Sequence, residues 1–443
     1  MKIPARIAVP IALAVGLSAL IGLFFLWQIH SSVSVIESSF KMKKVGDFTD
    51  ALLSRNGRTT EIVGNQSEAL ILLRQGEIFE LKGEWKHAEE KYVESISNGG
   101  GTPAIRKLAS IQLQRREYDA AKETIQKLKD SGSNGDDVML LEGLLALRKG
   151  DISTAKSIFN RRADTPQSEY GLGIAAIAEG KHEEARTNLT KASAGTDAVI
   201  RSFASTVLSA YEEFALFPDG QTIHLQTLLA RALAQVNECE TALPMLNNVI
   251  ASQGRYRDAW IVKGYCEFAT ERTEQSLASL EQAYSLDPEK PEIQYFLART
   301  HAALGDPQNA VTFLQYALIN GFEPERDARE LLSDYAKELG NLDLALEQLK
   351  ILTEDEDADF ATFERYVELA IATPDRSLDA LAMAKTALTK WPDDSKTLTL
   401  AARAAYSAGS LTDAETYIDK ALKIDPKNTE AMEVQDSMKK NAQ

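Results

Sequence analysis

Residues 76–92 read GEIFELKGEWKHAEEKY, and the spacing inside this stretch decides the fold. A small residue, Gly76, is followed by an aromatic three later (Phe79), by Ala88 twelve after the glycine, and by a bulky Tyr92 four further on. The same skeleton returns down the chain. Its alanine position is held by Ala88, Ala121, Ala155, Ala185, Ala242, Ser276, Ala310, Ala345, Ala380 and Ala414, mostly at steps of 33 to 35 residues. The step before Ala185 is short and the step before Ala242 is long. Self-similarity at a fixed period marks stacked supersecondary units, none of which buries its apolar face alone.

The pattern predicts units of two antiparallel helices. A small residue on the first helix lets the second approach, a role given to Gly76, Ala109, Gly143, Gly173, Ala230, Gly264, Ala298 and Ala402. The alanine of the second helix is the other half of that contact. Four residues on, a bulky side chain fills the same face: Tyr92, Ile125, Phe159, Leu189, Leu246, Leu280, Leu314, Leu349 or Ile418. Lys82-Gly83, Lys149-Gly150, Glu179-Gly180 and Leu339-Gly340 read as corners between the two helices. Pro288, Pro392 and Pro426 end units, because proline cannot continue a helix. Ser333 and Glu368 fall on the small position and Arg162 on an apolar one, so distortion is expected in those units.

The motif G-x2-Y…A-x3-F resembles the tetratricopeptide repeat, and the likeness covers nearly everything from residue 69 to 428. The resemblance implies an all-α, right-handed superhelical solenoid of about ten helical hairpins, with the first helices lining an inner groove that holds partner proteins or peptides. By family position, Leu140, Leu144, Leu147, Tyr170, Ile174 and Ile177 would line it in the units starting near 136 and 166. Ile261, Tyr265, Phe268, Tyr295 and Arg299 would do so in those starting near 257 and 291. Aromatics beside arginine are common anchors of binding surfaces. The alternative places these side chains in the core, one residue of register away. Members that bind chaperone tails use a lysine and asparagine clamp. Leu73, Glu77, Arg106, Ser110, Leu140 and Leu144 stand at those positions here, which disfavours such an adaptor.

The long step before Ala242 has room for an extra helix, about 198–216, and a loop, Phe217-Pro218-Asp219-Gly220. The expected organisation is an anchor at 1–30, a polar tether at 31–65 and a first array at 66–197. A break at 198–222, a second array at 223–428 and a capping helix and tail at 429–443, with Met432 and Met438 inward, complete it.

Chemistry is sparse. The net charge of −16 argues against nucleic acid. Five scattered histidines and two cysteines give no metal-ligand spacing, so neither metal nor cofactor is expected. Glu354-Asp355-Glu356-Asp357 lacks the glycine and spacing of a calcium loop and reads as a solvated loop. No nucleophile–base set appears, and no enzyme is expected. Cys239 and Cys266 fall at the start of one second helix and late in the next first helix. They read either as a bridge or as two unrelated buried thiols.

The N-terminus differs in kind. Lys2 and Arg6 precede an uncharged run of 21 residues, Ile7 to Trp27, which as a helix spans roughly 31 Å, enough to cross a hydrocarbon core. A cleaved signal would have a shorter apolar region and a small-x-small site, for which Ser32-Val33-Ser34 is a weak match. Lys2 and Arg6 favour the N-terminus inside, and Lys41, Lys43 and Lys44 dilute that bias. Ala8, Ala12 and Gly16 share one face and could form a homodimer seam. The expectation is a single-pass inner (plasma) membrane scaffold with its array outside the cytoplasm. It would bind proteins for a bacterial envelope system such as exopolysaccharide export or a pilus. An organelle-surface import receptor or adaptor, and a non-catalytic subunit of a membrane enzyme complex, are the alternatives.

Overall fold

The computed structural model describes residues 68–441, apart from 82–83, 134, 163 and 218–219. The apolar run, the Ala8–Ala12–Gly16 face and the tether lie outside the described residues. Among the described residues no helix is long and apolar enough to cross a membrane. These residues form 22 α-helices and no strand. The chain divides into two compact units, unit 1 ending at Asp287 and unit 2 beginning at Pro288.

Unit 1 pairs α1 (Glu68–Leu81) with α2 (Trp85–Ser97), α3 (Gly101–Gln114) with α4 (Tyr118–Asp130), and α5 (Asp136–Arg148) with α6 (Ile152–Phe159). It then pairs α7 (Pro166–Ala178) with α8 (His182–Ser193). A lone helix α9 (Ala198–Ala215) precedes α10 (Thr222–Gln235) with α11 (Cys239–Ser252) and α12 (Arg257–Ala269) with α13 (Thr273–Leu286). Unit 2 pairs α14 (Pro291–Ala303) with α15 (Pro307–Ile319), α16 (Glu325–Glu338) with α17 (Leu342–Glu354), and α18 (Phe360–Ala372) with α19 (Ser377–Lys390). It ends with α20 (Ser395–Ser407) beside α21 (Leu411–Ile424), and α22 (Thr429–Asn441).

The repeat spacing has a direct steric cause. All nine periodic alanines and Ser276 are wholly buried. A Cβ added at Gly173 would lie 2.7 Å from Leu189 Cγ, and one at Gly264 would lie 2.5 Å from Leu280 Cγ. The small residue of the first helix therefore meets the bulky residue sixteen positions on. Ser276 keeps the contact polar by donating its hydroxyl to the Gly264 carbonyl at 2.8 Å. Ser333 does the same toward Ala345 O, at 3.3 Å, so serine fits the small position without distortion.

Glu368 is a correction. The corner between α18 and α19 has four residues, 373–376, where the other hairpins of unit 2 have three. The extra residue shifts the register, so Val367 is wholly buried at the small position and Glu368 is exposed. Ala384, also wholly buried, stands where other repeats carry a bulky filler, so the large and small partners exchange helices. The short step before Ala185 comes from α6, which has eight residues and closes in a 3₁₀ turn at Asn160–Arg162. Arg162 there is half exposed and pairs with Asp136 at 2.8 Å.

The extra helix is α9, capped by the Asp197 carboxylate, which accepts from Val199 N and Ile200 N at 3.0 Å. One apolar cluster runs from Met139 through Ile200, Ala204 and Val207 to Cys266, without a gap at 198–222. The compact units divide some 70 residues later than the expected break. In α22 the inward residues are Ala431, Val434 and Met438, while Met432 is 40% exposed.

Candidate functional site

In unit 1 the inner face of α5 and α7 is covered. Tyr170, Ile174 and Ile177 on α7 and Leu147 on α5 are buried, and Leu140 and Leu144 are half-buried against the same cluster. These residues are core rather than an open groove, because the α10–α11 corner and the start of α11 pack back onto α5 and α7. Sequence separation hides this contact, since Arg148 and Glu238 stand 90 positions apart.

The corner brings polar groups with it. Arg148 donates to Glu238 at 2.7 and 3.2 Å and to the Leu113 carbonyl at 2.9 Å. Both partners of this ion pair are almost fully shielded, at 6% and 2% side-chain exposure. Arg116 donates to Glu240 at 2.9 Å and to Asn237 at 3.0 Å. Asn237 donates to Gln114 at 2.7 Å, and the Tyr118 hydroxyl donates to Glu240. Burial and the bond to Glu240 push the Tyr118 phenol well above its ordinary range. The Tyr170 hydroxyl and Glu240 Oε2 are buried without a hydrogen bond.

Cys239 and Cys266 are both wholly buried and unbridged. Burial pushes the Cys266 thiol well up, with Cys239 and Glu240 adding to the shift and Arg116 opposing it. On α12, Ile261, Tyr265 and Phe268 are half-buried. Beside them Lys263 bonds Glu267 at 2.6 Å and Ser279 at 3.0 Å.

Unit 2 presents a different inner face. Tyr295 is 4% exposed, its ring stacked on Phe322 at 4.1 Å with the Arg299 guanidinium 5.6 Å from its centroid. The first helices α16 to α22 are joined edge to edge by accessible ion pairs. Arg365 reaches Asp334 at 2.5 Å, and Arg403 reaches Glu368 at 3.1 Å and Glu430 at 2.8 Å. Burial, then the charges of Glu368 and Glu430, hold the Glu364 carboxyl above its usual range. Residues 288–443 carry 17 Lys and Arg against 29 Asp and Glu, a net of −12 out of −16 for the chain. The run Glu354 to Asp357 is exposed at the end of α17. Among the described residues no group of three His, Cys, Asp or Glu side chains could hold a metal ion.

Tetratricopeptide repeat models match residues 227–291 and 375–429, and a second such model matches 267–332. The chain carries tetratricopeptide repeats. Among solved structures, YrrB, described as a tetratricopeptide repeat protein with an unusual peptide-binding site, is 18% identical. The match covers 43% of this chain and 97% of that one, with a TM-score of 0.36. PilW, described as a widely conserved type IV pilus biogenesis factor, is 18% identical over 49% and 99%, with a TM-score of 0.34. A human IFIT1 dimer with PPP-AAAA is 15% identical over 83% and 93%, with a TM-score of 0.32. No curated protein matches the sequence.

Sequence reasoning missed Arg116, Tyr118, Arg148, Glu238 and Glu240. One signal was present. Arg116 and Asn237 stand mid-corner, where the hairpins α5–α6 and α7–α8 carry Gly150 and Gly180.

Proposed function

We propose that this protein is a membrane-anchored tetratricopeptide scaffold that holds partner proteins or peptides along the first helices of unit 2. The accessible row Asp334–Arg365 and Glu368–Arg403–Glu430 carries this reading. Those charges are held by one another at low cost and are free to exchange partners, since exposed ion pairs contribute only about 0–1 kcal/mol each. The corresponding face of unit 1 is filled by its own chain at α5 and α7. The strongly negative balance of residues 288–443 favours a basic partner segment. The run Ile7–Trp27 serves as the anchor, with the repeats outside the cytoplasm and the partners belonging to an envelope assembly system.

The test is capture from solubilised membranes with the full chain and with Arg365→Ala/Arg403→Ala, followed by mass spectrometry. The expected result is a set of envelope-assembly proteins recovered by the native chain and depleted at least fivefold by the double variant. Equal recovery by both chains would remove unit 2 as the binding face. Washing the membranes at high pH and sequencing the mature N-terminus tests the anchor, and a soluble product starting near Val35 would overturn it.

A further inference from the structure

The α10–α11 corner is held in unit 1 by charge pairs that local helix packing does not require. Arg116 and Asn237 bond each other across 121 residues of sequence. Both adopt the left-handed backbone conformation, with φ of 61° and 63°. Glycine takes this conformation without steric cost, while a side chain does so at a penalty. The equivalent mid-corner positions use glycine at Gly150 and Gly180 and a third left-handed side chain at Glu271, with φ of 60°. Strain of this kind persists where the surroundings over-determine it. Here the surroundings are Glu240 and Asn237 on Arg116, with Tyr118 on Glu240 and Arg148 on Glu238. Burying these ions is costly, and leaving one unpaired is costlier, so the pairs favour being made or released together.

We propose that the α10–α11 corner is a latch: Glu238 and Glu240, seated on Arg148 and Arg116, hold the inner face of α3, α5 and α7 shut, and releasing both pairs opens that face. The unpaired Tyr170 hydroxyl and Glu240 Oε2 are polar groups that closure leaves unsatisfied and that opening returns to solvent. The reading does not depend on what unit 2 binds.

The chain carries its own reporter. Cys239 opens α11 between Glu238 and Glu240 and is wholly buried, as is Cys266. These are the only two cysteines in the sequence. The rate of alkylation at Cys239 is measured on the full chain under a phosphine reductant, with helical circular dichroism recorded in parallel. Glu238→Gln/Glu240→Gln keeps shape and removes both charges, and the expected result is labelling at least tenfold faster with helicity retained. Arg116→Gly/Arg148→Gln relieves the backbone strain at 116 and removes both pairs from the arginine side. A turn with no latch role would label no faster after this change, whereas the latch predicts a comparable rise. Native labelling rates in both variants would overturn the proposal. So would faster labelling accompanied by loss of helicity, which would make these residues ordinary core.

Discussion

Phe159 offers the sharpest test of the packing rule behind the repeats. Its ring is wholly buried, and its tip lies against both Gly143 on α5 and Gly171 on α7. A Cβ at Gly143 would fall well inside van der Waals contact of Phe159 Cζ and 2.7 Å from Cε2. One at Gly171 would lie 2.5 Å from Cε1. The ring cannot retreat from one helix without striking the other. Gly143→Ala gains about 1 kcal/mol of helix propensity. Against this, overpacking a filled core costs about 1–3 kcal/mol, and this confined ring belongs at the upper end. The expected net loss is about 2 kcal/mol, or a drop of about 4–8 °C in the unfolding midpoint of a unit this size. The assay is thermal unfolding of the full chain followed by helical circular dichroism. Other repeats place alanine and leucine at these two positions, Ala230 with Leu246 and Ala298 with Leu314. Gly143→Ala combined with Phe159→Leu should therefore lose less than the two single changes summed, by about 1 kcal/mol or more. A Gly143→Ala protein that melts at or above the native temperature would refute the reasoning, because propensity would then outweigh contact.

Three further outcomes are expected. A fragment beginning at Pro288 should give a cooperative helical melt, whereas one beginning at Gly220 should aggregate, since it strips α5, α7 and α9 from the buried Leu228, Leu229 and Leu233; equal behaviour of the two would contradict the unit boundary. Burial holds the His182 imidazole below its ordinary 6.5, with Glu183 opposing, and its Nδ1 lies 3.2 Å from the Tyr211 hydroxyl. A depressed histidine means the unfolded chain binds the proton more tightly, so unit 1 should lose stability as pH falls below about 6.5. The loss levels off below the folded value, and His182→Gln should flatten this slope in melts from pH 8 to pH 5. Cys239 and Cys266 are free and wholly buried, so both should resist alkylation in the native chain and be labelled without reductant once it is denatured; labelling of the denatured chain only after reductant would contradict the free thiols.

The hairpins were legible from sequence because their contacts are local. The small residue and its alanine are twelve positions apart, and a helical period fixes which side chains meet over that distance. Serine at 276 and 333 was compatible for the same reason, as its hydroxyl reaches a carbonyl of the same hairpin. Glu368 was misplaced because one added corner residue turns the helix relative to its partner, and no period reports the length of a corner. Tyr170 and Ile174 were assigned to the correct helix, but their exposure depended on residues 238–245. The small rotation between successive hairpins accumulates until the fifth meets the third and fourth, a sum that no single repeat encodes. The sequence by itself determined the helical hairpins and the residues that zip each one together. Only the tertiary structure decided that Arg116 and Arg148 would meet Glu240 and Glu238, because that meeting is set by the geometry of all the hairpins between them.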